Sequence, residues 1–287
     1  MRNSAEQRDR EKLKSAEAFQ GFPAPTSNTL NTPNQFFDVV LPYSSRGTVR
    51  LVAYLLRKTL GWCDSEGNPV DAEVYATWKE LEQKAGIGHS AIKAAIEEAI
   101  EKRFIECLHM GAAHSPGQAA FSALYRIRWD DADEYITDPE RFDGFFSGNG
   151  NLTFIPNAFF DQLVPREKLS VIRVVGAIIR NTICWELKRG HRRQRVSMSL
   201  TELERRTKQH RETVSIGVKE ALKSGYIKRD SEGVFHSDTA EQKAATYSLR
   251  WEGEAGSDEP VLNLERRDLE ASLRKSDQEN TPKIRPV

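Results

Sequence analysis

The stretch Pro33-Asn34-Gln35-Phe36-Phe37-Asp38 returns 123 residues later as Pro156-Asn157-Ala158-Phe159-Phe160-Asp161. The two copies stay aligned without a gap as far as Trp62 and Trp185, and 11 of the 30 positions between residues 33 and 62 are identical. Beyond a loop the offset becomes 122 and continues to the pair Trp129 and Trp251. Because chance does not preserve such a register over roughly 100 residues, the chain contains an internal duplication.

The duplication and the local composition predict five segments. Copy one spans residues 31–129, copy two spans residues 150–251, and an acidic linker, residues 130–149, joins them. The two ends, residues 1–30 and 252–287, are polar, charged and rich in Ser, Asn and Pro, a composition that predicts disordered tails.

Each copy gives an independent prediction of the same secondary structure. Apolar residues at helical spacing predict helices over 47–60 and 168–183, and over 89–102 and 211–224. Between them a further helix begins near Thr77 and near Thr201, where Glu204 would complete a capping box. Two strand-like stretches end each copy. This order is that of a winged helix-turn-helix, so the predicted fold class is α+β, with two tandem winged helix-turn-helix domains and disordered tails.

The net charge of the whole chain is zero, but the charge is unevenly distributed. Copy one carries 11 basic and 11 acidic side chains, the linker one basic and seven acidic, and copy two 19 basic and 11 acidic. Copy two therefore has a local net charge of +8. Since phosphate binding depends on local charge, copy two is the half expected to contact DNA.

Several function classes lack support in the sequence. Cys63, Cys107 and Cys184 are widely spaced and form neither a CxxC pair nor a disulfide framework, which fits a reducing cytoplasm. There is no apolar run of about 18 residues, no export signal, no GxxxxGKS/T phosphate loop and no HxH or HExxH cluster. We therefore expect a cytoplasmic protein, associated with the nucleoid or a plasmid, that is not an enzyme and uses no cofactor or metal.

Copy two opens with Phe154-Ile155-Pro156-Asn157-Ala158-Phe159-Phe160, followed by Arg180-Asn181-Thr182-Ile183-Cys184-Trp185 and Leu200-Thr201-Glu202-Leu203. Copy one offers Pro33-Asn34-Gln35-Phe36-Phe37, Arg57-Lys58-Thr59-Leu60-Gly61-Trp62 and Trp78-Lys79-Glu80-Leu81. This order of motifs resembles the N-terminal winged-helix domain of phage replication proteins of the lambda protein O type and of related plasmid replication proteins. The resemblance covers roughly 200 of 287 residues. The tandem arrangement departs from that family and is similar instead to two-winged-helix plasmid replication initiators. The resemblance implies binding to origin repeats and recruitment of replication machinery.

The third predicted helix of copy two is the element expected to enter the major groove of DNA. Arg211 is assigned to a guanine or a phosphate, Gln209 and Ser215 to base edges, and Lys219 to the DNA backbone. Ile216 is assigned to a thymine methyl group, with an ordinary solvated helix face as the alternative. Further predicted DNA contacts are Lys208, His210, Arg205, Arg206, Arg192, Arg193, Arg195, Lys228 and Arg229. For residues 192–195 a solvated loop is the alternative.

Copy one presents a different set of side chains on the same face: His89, Ser90, Lys93, Ala94 and Glu97. Only Lys93 is cationic, and Glu97 would repel phosphate. We expect weaker DNA contact through His89, Ser90 and Lys93, and a protein–protein role for copy one stays open.

The repeated tryptophans, Trp62 with Trp185 and Trp129 with Trp251, are expected to be buried anchors rather than base-stacking platforms. The histidines outside the predicted helices lack metal-ligand spacing and are expected at the surface; they are His109, His114, His191 and His236.

Three functions fit these features. The first is a sequence-specific protein that binds double-stranded DNA as a replication initiator or origin-binding protein of a plasmid, phage or mobile element, with tails that recruit replisome or helicase-loading proteins. The alternative is a transcriptional regulator. The second alternative is a partition or nucleoprotein-filament protein that binds DNA cooperatively through self-association. No membrane partner is expected.

Overall fold

The computed structural model describes residues 19–62, 70–112, 121–130, 134–148, 150–187, 191–234 and 243–254. Helices and small sheets are mixed in it, and the described residues up to Glu254 belong to one compact unit. The predictions for residues 1–18 and 255–287, and those for Cys63, His114 and His236, lie outside the described residues.

Copy one contains four helices and four strands among its described residues. The strands are β1 (Thr29–Pro33), β2 (Glu73–Ala76), β3 (Ile105–His109) and β4 (Ala123–Ile127). The helices are α1 (Leu41–Tyr43), α2 (Arg46–Thr59), α3 (Trp78–Gln83) and α4 (Ile92–Glu101), with a π-helical turn over Phe36–Val40 and a 3₁₀ turn over His89–Ala91. β4 lies between β2 and β3 in an antiparallel sheet.

Copy two repeats this order after the short parallel pair of β5 (Trp129–Asp130) and β6 (Phe145–Phe146). Its strands are β7 (Leu152–Pro156), β8 (Arg195–Ser197), β9 (Ile227–Ser231) and β10 (Thr246–Leu249). Its helices are α5 (Val164–Arg166), α6 (Leu169–Asn181), α7 (Leu200–Thr207) and α8 (Arg211–Lys223), with a π-helical turn over Phe159–Leu163. β10 lies between β8 and β9. The sequence predicted only two strands in each of the three-stranded sheets.

In each copy a side-chain hydroxyl caps the first helix of the predicted helix-turn-helix motif, which is α3 in copy one and α7 in copy two. The Thr77 hydroxyl accepts a hydrogen bond from the backbone N–H of Glu80, and the Glu80 carboxylate accepts one from the backbone N–H of Thr77, which completes a capping box. In copy two Ser199 accepts from the backbone N–H of Glu202. The cap is therefore Ser199, two residues before the predicted Thr201.

The long helix and the third helix cross closely in both copies, and each crossing contains one glycine. In copy two the glycine is on α8, where an added Cβ at Gly217 would lie 2.8 Å from the carbonyl oxygen of Ser170. In copy one it is on α2, where a Cβ at Gly47 would lie 3.0 Å from the Cβ of Ala95. In the duplication Gly47 matches Ser170, and Ala95 matches Gly217. The glycine that permits the close crossing therefore lies on the long helix in copy one and on the third helix in copy two.

A local two-fold axis relates the two copies. β1 and β7 pair antiparallel, and Asn31 lies opposite Phe154, its equivalent in the duplication. The arginines of the long helices repeat this symmetry: Arg50 donates to the carbonyl oxygen of Val164 at 3.0 Å, and Arg173 donates to the carbonyl oxygen of Leu41 at 2.6 Å. Each copy therefore uses the same surface against the other, as in an isologous dimer.

The aromatic pair of the opening motif forms the centre of this junction. Phe36 packs against Phe160 with ring centroids 5.9 Å apart, and Phe37 packs against Phe159 at 5.8 Å. All four side chains are buried, and they join the cores of the two copies into a single hydrophobic cluster. The motif that reveals the duplication in the sequence is thus the part that holds its halves together.

The disorder predicted for residues 1–30 is wrong for residues 19–30. Phe22 is fully buried and pairs with Trp251, while Leu30 is buried in β1. At Gly21, φ is +115°, and a Cβ would lie 2.5 Å from the backbone of Trp251, so this approach requires glycine. Two apolar side chains within a polar segment were enough to anchor it.

The prediction that residues 130–149 form a flexible acidic spacer is wrong for residues 134–148. Phe142 and Phe145 are buried and pack against Phe104 of copy one. The hydroxyl of Tyr135 donates to Asp38 at 2.7 Å. Glu134, Asp138 and Glu140 are exposed, while these aromatic residues fix the backbone of the segment.

The prediction of buried tryptophan anchors is wrong. Trp62 is 69% exposed and Trp185 is 47% exposed, Trp129 is also exposed, and Trp251 is only partly buried. The helices α2 and α6 end at Thr59 and Asn181, so the first two rings fall beyond the last buried turn. His109 and His191 are exposed, as expected.

Candidate nucleic-acid interface

The turn before α8 directs the N-terminal end of this helix toward solvent. Lys208 ends α7 with φ 53° and ψ 42°, a left-handed conformation that reverses the chain, and His210 is the N-cap residue of α8. The His210 side chain makes no capping hydrogen bond to the first backbone N–H groups of the helix. Since a helix start carries a partial positive charge, this end favours an anion.

The buried and exposed faces of α8 are those that its periodicity predicts. Its buried side is formed by Val214, Gly217, Val218 and Ala221, which pack toward α6. In copy one Ile92, Ala95, Ile96 and Ala99 are buried likewise, whereas Ile100, which shares their helical spacing, is 39% exposed. The exposed side of α8 includes Arg211, Ile216 and Lys219, with Ser215 half-buried at its edge. The helix therefore presents cationic, hydroxyl and apolar groups along one outward stripe.

Arg211 and Lys219 are the two cationic side chains of that stripe. The Arg211 guanidinium lies 3.6 Å from the Glu204 carboxylate and 3.4 Å from the Thr201 hydroxyl, and its side chain is 62% exposed. Within the described ranges Lys219 forms no ion pair. Because exposed pairs of this kind contribute little, both charges are available to a ligand. Glu212 is exposed beside Arg211 in the first turn of the helix, where it would repel phosphate.

The amide of Gln209 is not freely accessible for contact with a base edge. Its side chain is half-buried, and its Oε1 atom is shielded from solvent. His210, in contrast, is exposed at the N-cap of α8. The turn therefore offers the imidazole to a ligand more readily than the amide.

Arg205, Arg206 and Lys208 lie around the end of α7. The Glu202 carboxylate accepts hydrogen bonds from Arg205 at 2.8 Å and from Arg206 at 2.5 Å. The hydrogen bond from Arg205 and the further one from Arg206 lower the pKa of Glu202 to about 2, although partial burial acts in the opposite direction. The structure thus brings these predicted residues together at a cleft between the two copies, not on the α8 stripe.

The arginines predicted to clamp phosphate before α7 have local partners. Arg192 lies 3.8 Å from the Glu186 carboxylate, and the Arg193 guanidinium lies 5.1 Å from the centre of the Trp185 ring. Arg195 begins β8 rather than lying in a loop. Their placement in and beside the sheet leaves a DNA role for them a prediction.

Lys228 does not suit its predicted contact with the DNA backbone. Its ammonium lies 2.6 Å from the Glu254 carboxylate, and its side chain is only 15% exposed. Arg229 pairs with Glu232 at 3.0 Å and packs over the Tyr247 ring. Because Glu254 neutralises the Lys228 charge inside the fold, the structure gives no support to a backbone contact by Lys228, and that contact stays a prediction.

The matching surface of copy one is apolar. A groove of about 710 Å³ lies between α4 and the sheet, and its lining includes Trp78, Ile96, Met110, Phe121 and Tyr125. The cation predicted there, Lys93, lies 3.7 Å from Glu97 on its own helix.

The neighbouring residues of copy one are also engaged or uncharged. The ring of His89 packs at 5.3 Å against Trp78, and its Nδ1 lies 3.7 Å from Glu82. Ser90 is exposed. These residues and Lys93 share one surface, but that surface lacks the excess of cations found around α8.

Comparison with known proteins adds no family: no protein-family profile and no curated sequence matches the chain. Among the described residues no helix is both long and apolar enough to cross a membrane. Nor does any group of three or more potential metal-ligating side chains occur in the described part of the chain.

Proposed function

We propose that this chain is a sequence-specific double-stranded DNA-binding protein of the tandem winged-helix type, acting as a replication initiator or origin-binding protein of a plasmid, phage or other mobile element. The observation that carries the proposal is the outward stripe of α8. It combines an uncapped helix start with Arg211, Ser215, Ile216 and Lys219 on one side. A helix presented in this way can enter the major groove with its first turn near base edges.

The parts of copy two suit different aspects of DNA recognition. Arg211 at the first helical position can pair with a guanine edge or a phosphate, and Lys219, two turns further along, can pair with the backbone. Ser215 and Ile216 lie between them and offer a hydroxyl and an apolar contact. Copy one is assigned a weaker contact, because its equivalent of Lys219 is Glu97.

The test is DNA affinity measured by fluorescence anisotropy for the double variant Arg211→Ala/Lys219→Ala. We expect loss of specific binding, because two of the phosphate or base contacts disappear together. The matched control in copy one is His89→Ala/Glu97→Ala, which replaces the equivalent positions and leaves affinity within about threefold, since copy one is assigned only the weaker contact and exposed pairs contribute little. Unchanged affinity of the copy-two variant at about 0.15 M salt, where phosphate contacts still count, contradicts the assignment.

The location of the binding sites separates replication from transcription. Fragments of host DNA selected by the full chain should contain direct repeats of about 20 base pairs, two helical turns, at a replication origin. A single operator upstream of the protein's own gene, with replication intact after deletion, would support the regulator instead.

The apolar groove of copy one favours one further candidate, a nucleoprotein-coating protein in which a second copy of this chain docks on the groove. The variant Met110→Glu places a charge at the most exposed apolar side chain of its lining. That candidate requires cooperative, length-dependent DNA coating that Met110→Glu removes. A concentration-independent monomer by sedimentation would exclude it.

A further inference from the structure

The junction between the copies contains two clefts that are equivalent under the duplication, of about 320 and 520 Å³. The first, here called the junction cleft, lies between α1, α6 and the end of α7. Five cationic side chains line it, from two helices that are distant in sequence: Arg173, Arg180, Arg205, Arg206 and Lys208. The only carboxylate among its described lining residues is Asp38.

Asp38 is already engaged by two partners. It accepts hydrogen bonds from Arg180 Nε at 2.9 Å and from the Tyr135 hydroxyl at 2.7 Å. Burial, and after it the neighbouring carboxylate, raise the pKa of Tyr135, so the phenol keeps its proton and holds Asp38 in place. Asp38 therefore balances one of the five cations and has little capacity left for the others.

Glu202, next to the cleft, balances the charge of one further cation. It is shared between Arg205 and Arg206, so two guanidinium groups face one carboxylate. Arg205 is well exposed and Arg206 is half-buried. A further anion can approach both groups from the cleft without breaking their bonds to Glu202, because each guanidinium has five N–H donors.

The remaining cations, Arg173 and Lys208, form no ion pair with any residue that the structure describes. Arg173 donates only to the carbonyl oxygens of Leu41 and Ser44, and Lys208 Nζ lies 5.5 Å from the centre of the Tyr43 ring. Burial lowers the pKa of Arg173, and the nearby Glu98 carboxylate offsets only part of that effect. Uncompensated buried charge is costly, and an anion in the cleft would remove that cost.

We propose that the junction cleft is a binding site for a phosphate-bearing anion. Arginine forks match the oxygens of a phosphate in a bidentate manner, and lysine adds a point charge. The volume lies in the range of small-ligand pockets, roughly 300 to 1,000 Å³. A site of this volume can take a nucleotide or one phosphate of a DNA strand. Tyr43 and Tyr135 add aromatic side chains to its lining.

The equivalent cleft of copy one provides the internal comparison. There Gln83 and Gly86 stand in place of Arg205 and Lys208, and Lys84 stands in place of Arg206. The ammonium of Lys84 is held by Glu80 at 2.8 Å. Lysines and arginines line this cleft too, but it has no cation in place of Arg205 or Lys208 at the end of α7.

The experiment measures binding of pyrophosphate and of a fluorescent adenine or guanine nucleotide to the full chain at low ionic strength, by calorimetry and anisotropy. The variant is Arg205→Gln/Lys208→Asn. Both side chains are exposed, and Asn tolerates the left-handed backbone at position 208, so the fold should persist. We expect the affinity for pyrophosphate to fall by about tenfold or more, since charge-assisted bonds are lost. The matched control Lys84→Gln should leave the affinity unchanged.

A second arm identifies the source of the phosphate by measuring duplex DNA affinity of the same variant. A parallel loss of DNA affinity identifies the ligand as the DNA backbone, whereas unchanged DNA affinity identifies a free nucleotide. The α8 variant Arg211→Ala/Lys219→Ala should still bind pyrophosphate, so failure of the DNA proposal is distinguishable from failure of this one. The proposal is overturned if wild-type protein binds neither probe, or if Lys84→Gln weakens binding as much as Arg205→Gln/Lys208→Asn does.

Discussion

The two copies have the same helices, strands and junction contacts, yet their third helices present opposite chemistry. At equivalent positions copy two has Ser215 and Lys219 on α8, where copy one has Lys93 and Glu97 on α4. On the sheet, Lys243 of copy two matches Phe121 of copy one, and the two make equivalent bridges to the neighbouring strand. The difference teaches that the two copies share a buried core while the outward faces of their third helices have diverged in charge.

The largest expected effect on DNA affinity comes from exchanging the charges at one pair of equivalent positions in the two copies. Lys219→Glu in copy two should reduce DNA affinity by about a hundredfold, because a backbone contact is replaced by repulsion. Glu97→Lys, the reciprocal change in copy one, should raise affinity only a few-fold, about the value of one added exposed charge. Titration of labelled duplex by anisotropy measures both. Equal and opposite effects would mean that both helices face DNA.

A smaller expected effect tests the crossing of the long and third helices. Gly217→Ala should lower the free energy of unfolding by about 1 to 3 kcal/mol, because the new methyl group meets the Ser170 carbonyl in a packed core. Gly47→Ala should cost less, since its Cβ would meet only the methyl group of Ala95.

The control for both glycine variants is Gly88→Ala, where an added Cβ meets no atom within 4 Å and φ is −62°. Urea denaturation measures all three proteins. A Gly47 variant that is destabilised as much as the Gly217 variant would show that the crossings are equally tight.

These helices are also where the sequence predicts the structure best. Their apolar spacing predicts the two long helices and the third helices to within three residues, and it predicts which face of α8 is exposed. The β1–β7 pair was missed because it forms between copies, so neither strand shows a partner nearby in sequence. The tryptophans were misassigned because repetition alone does not distinguish a buried ring from an exposed one.

Only the part of the candidate site that lies on a single helix could be predicted from the sequence. Arg211 and Lys219 follow from the periodicity of one helix. The junction cleft does not, because Arg173 and Arg180 come from α6, and periodicity gives no account of how α6 faces the end of α7. The ion pair of Lys228 was not foreseen because its partner Glu254 lies beyond the segment that was expected to be ordered.

The ion pairs that join the copies offer a third comparison. Asp38 pairs with Arg180 and also accepts from Tyr135, and its side chain is 20% exposed. Among the described residues Asp161 pairs with Arg57 alone, and its side chain is 47% exposed. Asp38→Asn should cost about 1 to 2 kcal/mol, because it leaves Arg180 uncompensated. Asp161→Asn should cost less than about 1 kcal/mol, as exposed pairs do. Thermal unfolding compares the variants, and equal losses would contradict the asymmetry.

The last expected effect concerns acid stability in copy one and is confined to low pH. Burial opposes ionisation of Glu98, but hydrogen bonds from Lys102, Ser45 and Thr48 outweigh it and lower its pKa from 4.5 to about 2. The stabilisation is therefore present above about pH 4.5 and is lost as the pH falls toward 2. Glu98→Gln should flatten the decrease in unfolding free energy over this interval, as measured by urea denaturation at successive pH values. An unchanged pH slope would contradict the role of Glu98.

The central claim is that DNA contact resides in copy two. Acetylation of lysines in the full chain, with and without saturating specific duplex, measures it directly by mass spectrometry. Lys219 of α8 and Lys93 of α4 are both exposed in the free protein, so both are modified in the absence of DNA. The account predicts strong protection of Lys219 by DNA and little change at Lys93. Protection of Lys93 equal to or greater than that of Lys219 would contradict it.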